Sequence, residues 1–293
     1  MATPGHTAPH ERHCWANGLR LWVREWAGPG RPVVLLHGLA STARIWDLTA
    51  PTLALHHRVV AYDQRGHGRS DKPDEPYDFD AVCADLAALL GALALAAPVL
   101  VGHSWGGHVA LAFAARYPTV PAGLVLVDGG FTDLQARYSW EEAARELAPP
   151  DLSGCTPRAL LDRLRAGPLG EVLRPSIEAA ILANFAVTPN GTLRPWLTRE
   201  RHLRILRALW ELRPTALYPA VRCPVLLLPA DRAAEPRGEA FRAARRAAVA
   251  LAERALPQAT TEWFPETAHD IPLHRPAALV AAIRRFVARL PVA

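Results

Sequence analysis

The pentapeptide Gly102-His103-Ser104-Trp105-Gly106 constrains the fold of this 293-residue chain more than any other segment, because of what flanks it. Before it, Pro98-Val99-Leu100-Val101 is short, β-branched and uncharged, which suits a strand buried on both faces. After it come Gly106-Gly107 and then Val109, Leu111, Ala112, Phe113 and Ala115, a buried helix that ends at Tyr117-Pro118. A serine between a strand and a helix sits in a tight, strained turn, with small residues where the two backbones approach. Such a turn holds a hydroxyl out at the carboxyl end of a sheet, over the amino terminus of a helix. The bland reading is a Gly/Ser turn in an ordinary α/β domain, and the rest of the chain bears on which holds.

Apolar runs at 33–36, 58–62, 98–101, 123–127 and 224–228 alternate with helical patterns, after an early strand at 19–26. Val82, Leu86, Leu89 and Leu93 recur at helical spacing, as do Leu279, Ile283, Phe286 and Leu290. This alternation predicts an α/β fold with a mostly parallel sheet covered on both faces. It stops at Phe131 and resumes near Arg222. The interval has helical stretches near 140–147, 158–164, 177–185 and 198–212, punctuated by prolines from Pro149 to Pro214.

Three further segments stand in order with the serine turn. Val33-Val34-Leu35-Leu36 runs into His37-Gly38, and Asp63-Gln64-Arg65-Gly66-His67-Gly68-Arg69-Ser70 follows the strand at 58–62. Ala268-His269 lies between a short strand at 261–264 and a helix at 276–290. Together these resemble the α/β-hydrolase superfamily over nearly the whole chain. The resemblance implies an α/β-hydrolase fold with a helical cap inserted after the sixth core strand. Residues 1–130 and 220–293 then form the core, and residues 131–219 form the cap or lid. It also implies a cofactor-independent serine hydrolase with Ser104 as nucleophile and His269 as general base. Backbone N–H groups of Leu39 and Trp105 would form the oxyanion hole.

The chemistry requires those types. A serine hydroxyl needs a base to take its proton, and the base needs a carboxylate on its other nitrogen. Relatives commonly carry that acid in a G-x-x-D turn after the strand at 224–228. Here the turn reads Leu228-Pro229-Ala230-Asp231-Arg232-Ala233, so Ala233 takes the aspartate position, Asp231 falls two residues early and Glu235 two late. Some relatives carry the acid after the preceding strand, which here ends Leu126-Val127-Asp128. Asp128 is preferred, since a strand end positions a side chain better than a shifted loop does, and Asp231 is the alternative. His37, Gly38 and His103 flank the site. Phe131, Trp140, Phe185, Trp196 and Trp210 are the expected apolar pocket, although aromatics at helical spacing are more often core.

Half of the residues are hydrophobic, enough for a sizeable core, and no apolar stretch reaches the length of a membrane span. The net charge of +5 is spread along helices, with Lys72 the only lysine. Arg242, Arg245, Arg246 and Arg254 read as the solvated side of a helix whose other side carries Phe241, Val249 and Leu251. No nucleic-acid module is visible, and the expected partner is a small hydrophobic ester or lactone, with the oligomeric state left open. Residues 1–13 read as a loose tail without the apolar stretch of an ordinary secretory signal, so His6, His10, His13 and Cys14 make a poor metal site. Widely spaced Cys14, Cys83, Cys155 and Cys223 suit a reducing, cytoplasmic interior. No phosphate-binding or dinucleotide fingerprint appears, so neither cofactor nor metal is expected.

The expected activity is cleavage of a hydrophobic carboxylic ester or lactone through an acyl-enzyme. The same residues serve amidases, carbon–carbon bond hydrolases, perhydrolases and acyltransferases, and a low-turnover ligand receptor would share the fold. Epoxide hydrolases and haloalkane dehalogenases place a carboxylate where this chain has Ser104.

Overall fold

Val33–Leu36, Val59–Tyr62, Val99–His103 and Gly123–Val127 are buried along their whole length and form the middle of one sheet. The computed structural model describes residues 8–233 and 238–291. In chain order the strands are β1 His10–Ala16, β2 Leu19–Trp26, β3 Val33–Leu36, β4 Val59–Tyr62, β5 Val99–His103 and β6 Gly123–Val127. There follow β7 Phe185–Val187, β8 Leu193–Pro195, β9 Val225–Leu228, β10 Ala230–Asp231, β11 Thr260–Thr261 and β12 Phe264–Pro265. The helices are α1 Ala50–Leu53, α2 Phe79–Ala92, α3 Trp105–Arg116, α4 Trp140–Glu146, α5 Pro157–Arg165 and α6 Pro175–Leu182. After them come α7 Arg199–Glu211, α8 Pro214–Leu217, α9 Gly238–Ala255, α10 Ile271–His274 and α11 Pro276–Val287.

Among the described residues the main sheet has eight strands in the order β1-β2-β4-β3-β5-β6-β9-β11. β1 and β2 pair antiparallel, β2 meets β4 antiparallel, and every later pairing is parallel. Alternate residues serve alternate layers. Val34, Leu36, Leu100 and Leu126 face Val82, Leu86 and Leu89 of α2 and Val109 and Phe113 of α3. Val33, Leu35, Val101 and Val127 face Trp46, Leu53 and the Leu279, Ile283 and Phe286 stripe of α11. Each such side chain is worth about 2 kcal/mol of burial, so both layers are needed to hold the sheet.

Strand order explains where a site forms. From β3 the chain passes to β4 on one side and to β5 on the other, and ligands in open α/β sheets collect at such a reversal. Register then aligns the ends: Leu36 pairs with Gly102, and His103 with Val127. Residues 37–39, 104 and 128 therefore emerge side by side at one edge.

Several sequence expectations are corrected. Residues 10–13, read as part of a loose tail, belong to the strand His10–Ala16, which pairs along its length with β2 because its alternating Cys14 and Ala16 reach the core. Phe185, read as the end of a helix at 177–185, instead opens an antiparallel hairpin of β7 and β8 closed through Thr188 and Gly191. Leu251 is exposed rather than on the inner face of α9. His6 and Glu235 lie outside the described residues. The four cysteines are free and buried. No helix among the described residues is long and apolar enough to cross a membrane.

Candidate active site

Ser104 occupies the junction of β5 and α3 with φ 54° and ψ −120°, a conformation costly for any residue with a side chain. The neighbouring glycines are sterically required. A Cβ on Gly102 would stand 2.2 Å from the Gly106 carbonyl oxygen, and one on Gly106 would stand 2.4 Å from that of Leu36. Ser104 N–H donates to Val127 and Gly107 N–H returns to Ser104, which locks the turn.

His269 sits in the loop between β12 and α10. Its Nε2 lies 2.9 Å from Ser104 Oγ and its Nδ1 lies 2.6 Å from Asp128 Oδ2. The loop is pinned from two sides. His103 Nε2–H donates to the His269 carbonyl, and Ala268 N–H donates to His274 Nδ1, whose Nε2 contacts Glu171 at 2.7 Å. Asp128, at φ 44° beyond the end of β6, also accepts Ala230 N–H on Oδ1. Asp231 turns elsewhere and pairs with Arg242 and Arg246 of α9, each at 2.9 Å.

Charge follows from these contacts. Burial alone raises the Asp128 carboxyl pKa, but the hydrogen bond and charge of His269 and the charge of Arg245 outweigh it and hold it below the ordinary value. Desolvation likewise pulls the His269 imidazolium down, and the Asp128 hydrogen bond and charge reverse this, leaving its pKa above the ordinary value. His103 is pushed down to about 4, first by burial and then by His269, so it is a neutral support.

His37 orders the neighbouring loop. Its Nδ1–H donates to the Gly38 carbonyl, its Nε2 accepts Gln64 N–H, and Gln64 returns a bond to the His37 carbonyl. This leads the chain into Leu39 beside Trp105, whose ring stacks on His67 at 5.4 Å. As the first residue of α3, Trp105 has no carbonyl one turn back to take its N–H. Asp63 and Arg65 of the following loop are structural: Asp63 accepts Ala43 and Arg69 N–H, and Arg65 forks onto Asp85 with both bonds at 2.6 Å.

A cavity of about 350 Å³ opens over Ser104 and His269. The chain between β6 and β9 lines it through Leu134, Tyr138, Leu147, His202, Leu206 and Leu209. His108, Arg137, Phe241 and Arg245 complete the wall, beside Leu39 and Trp105. A larger open groove of about 880 Å³ lies between the 29–32 loop and α11, and it contains none of Ser104, Asp128 or His269.

The expected aromatic pocket is not this cavity. Phe185 and Trp196 line a separate space of about 150 Å³ with Asp63 and Arg69, because the hairpin carries them away from Ser104. Trp140 and Trp210 meet edge to face at 6.1 Å with Arg207 against both rings, and neither lines this cavity. Phe131 is spent in the core, and His37, Gly38 and His103 lie beneath the site rather than on its wall. Sequence reasoning missed Arg245 as a wall residue. Its spacing of four from both Phe241 and Val249 was the available signal, since that puts all three on one face of α9.

Comparison with known proteins agrees with this architecture. Residues 33–283 match the model of the alpha/beta hydrolase family. A 2-(acetamidomethylene)succinate hydrolase of Mesorhizobium japonicum is 30% identical over 274 residues, covering 92% of each chain. The crystal structure of an E-2-(acetamidomethylene)succinate hydrolase superposes with a TM-score of 0.78 at 25% identity, over 96% of this chain and 99% of that one. A shorter match, 42% over 104 residues, is to a non-heme chloroperoxidase of Streptomyces lividans and spans 34% of this chain and 37% of that protein.

Proposed function

The chain belongs to the alpha/beta hydrolase family, and from that premise we propose that it is a serine hydrolase cleaving a carboxylic ester or lactone through an acyl-enzyme. The observation that carries the reading is the continuous line Ser104 Oγ, His269, Asp128, with contacts of 2.9 and 2.6 Å. Ser104 Oγ attacks the substrate carbonyl while His269 Nε2 takes its proton. Asp128 holds the His269 tautomer with Nδ1 protonated and stabilises the imidazolium that forms. The N–H groups of Leu39 and Trp105 stabilise the oxyanion, a contribution typically worth about 3 kcal/mol per donor. The imidazolium returns its proton to the leaving alcohol, and His269 then activates the water that releases the acid.

The 131–219 insertion acts in this reading as a cap, since it supplies the leucines over Ser104. Those leucines support a substrate with an apolar portion. The test is labelling with a fluorophosphonate, mapped by peptide mass, followed by ester turnover. Labelling of Ser104 and loss of both label and turnover in Ser104→Ala are expected. Full turnover by a folded Ser104→Ala variant would overturn the reading.

A further inference from the structure

We propose that the substrate of this site carries a carboxylate besides its scissile group, held by Arg245. The inference rests on the serine-hydrolase reading of the same cavity and adds the charge of what enters it.

Arg245 comes from the face of α9 that turns toward Ser104 and His269, and its side chain is only 13% exposed. Its Nη1 donates to the Ala230 carbonyl at 2.7 Å. Its Nη2 stands 3.6 Å from Asp128 Oδ2, an ion-pair distance beyond hydrogen-bond length. Asp128 is otherwise committed, one oxygen to Ala230 N–H and the other to His269. Arg245 therefore keeps most of its five N–H donors without a hydrogen-bond partner among the described residues, in a site largely shielded from water. A buried guanidinium left in that state is costly, and a carboxylate matches its planar fork with two parallel bonds.

Arg245 and Arg137 lie over the Phe241 ring at 4.9 and 4.0 Å, so both guanidiniums are held at the cavity wall. Asp128 is the only carboxylate among the described lining residues. His108 and His202 add no negative charge, and burial lowers both imidazoles so that they are neutral. A cavity of about 350 Å³ lies at the small end of ligand sites, so a carboxylate on a substrate attached to Ser104 cannot stay far from this wall. Leucines above and the Arg245 guanidinium on the wall describe a short, amphipathic acid.

Two probe pairs test it. In the first, mono-4-nitrophenyl adipate is compared with 4-nitrophenyl methyl adipate, which places the charge on the acyl side. In the second, 4-acetoxybenzoate is compared with its methyl ester, which places the charge on the leaving group. In at least one pair the acid should have a kcat/KM ten-fold or more above the capped ester, with the preference shrinking as salt is raised. Arg245→Met, checked for folding by circular dichroism, should bring that ratio to near one, and Arg245→Lys should keep part of it. The ratio is the readout because both members of a pair use the same Ser104 and His269. A preference for the capped ester in both pairs, or a ratio unchanged in Arg245→Met, overturns the proposal. If none of the four is turned over and Ser104 takes no fluorophosphonate, the hydrolase reading itself has failed.

Discussion

Arg245 Nη2 lies 3.6 Å from Oδ2 of Asp128, the same oxygen that faces His269 Nδ1 at 2.6 Å. A second cation thus shares the acid with the imidazole. Its charge opposes protonation of His269, while Asp128 favours it strongly enough that the net shift is upward. Activity requires neutral His269, so kcat/KM should rise with pH and inflect above the ordinary imidazole value. Replacing Arg245 with Met removes the opposing charge and should move that inflection higher still. A pH profile on a neutral ester reads both shifts, and an inflection that moves down in the variant would contradict the assignment.

Asp128→Asn should lower kcat by roughly 10⁴-fold, because an amide does not stabilise the imidazolium and selects the wrong tautomer. Asp231→Asn loses contacts to Arg242 and Arg246 and none to His269, so its kcat should stay near that of the parent. Steady-state kinetics on both variants decide the matter. Equal losses would return Asp231 to candidacy.

How much of this was legible depended on how each residue is placed. Ser104 and Asp128 each follow a short apolar run, and register in a parallel sheet brings such strand ends together. A reader of the sequence can therefore foresee that they are neighbours. The cavity wall is different, since it depends on which face of each inserted helix turns inward. Trp140 and Trp210 mark a helix–helix contact, but with Arg207 against both rings and 44% exposed it lies away from the cavity. The hairpin at 185–195 carries Phe185 and Trp196 away from Ser104, and only Phe185 of it stands in the expected helix, whose end the sequence leaves unmarked. Charge groups Arg245 with Arg242 and Arg246, although its spacing from Phe241 places it on the apolar face.

Arg65 and Asp85 form a forked ion pair with side chains 4% and 3% exposed. The pair ties the loop after β4 to α2, and Arg65 also reaches the Pro76 carbonyl. Asp85→Ala leaves the guanidinium buried and unpaired, which should cost about 3–5 kcal/mol of stability. Urea unfolding followed by circular dichroism measures it. A midpoint within error of the parent would mean that water reaches Arg65 and solvates it.

Acyl-chain preference should follow the leucines of α7 rather than the tryptophans of the insertion. Leu209 is half-buried and lines the cavity over Ser104, whereas Trp196 lines a different space, where its Nε1 donates to the Ala183 carbonyl. Leu209→Trp adds bulk to a cavity of only about 350 Å³, so esters with longer acyl chains should lose at least ten-fold in kcat/KM relative to acetate. Trp196→Phe keeps an aromatic ring beside Lys72 and should leave the chain-length profile unchanged. A series of 4-nitrophenyl esters from acetate to octanoate reads both. A uniform loss across the series in Leu209→Trp would mean that the variant disturbs Ser104 or His269 and that the acyl chain lies elsewhere.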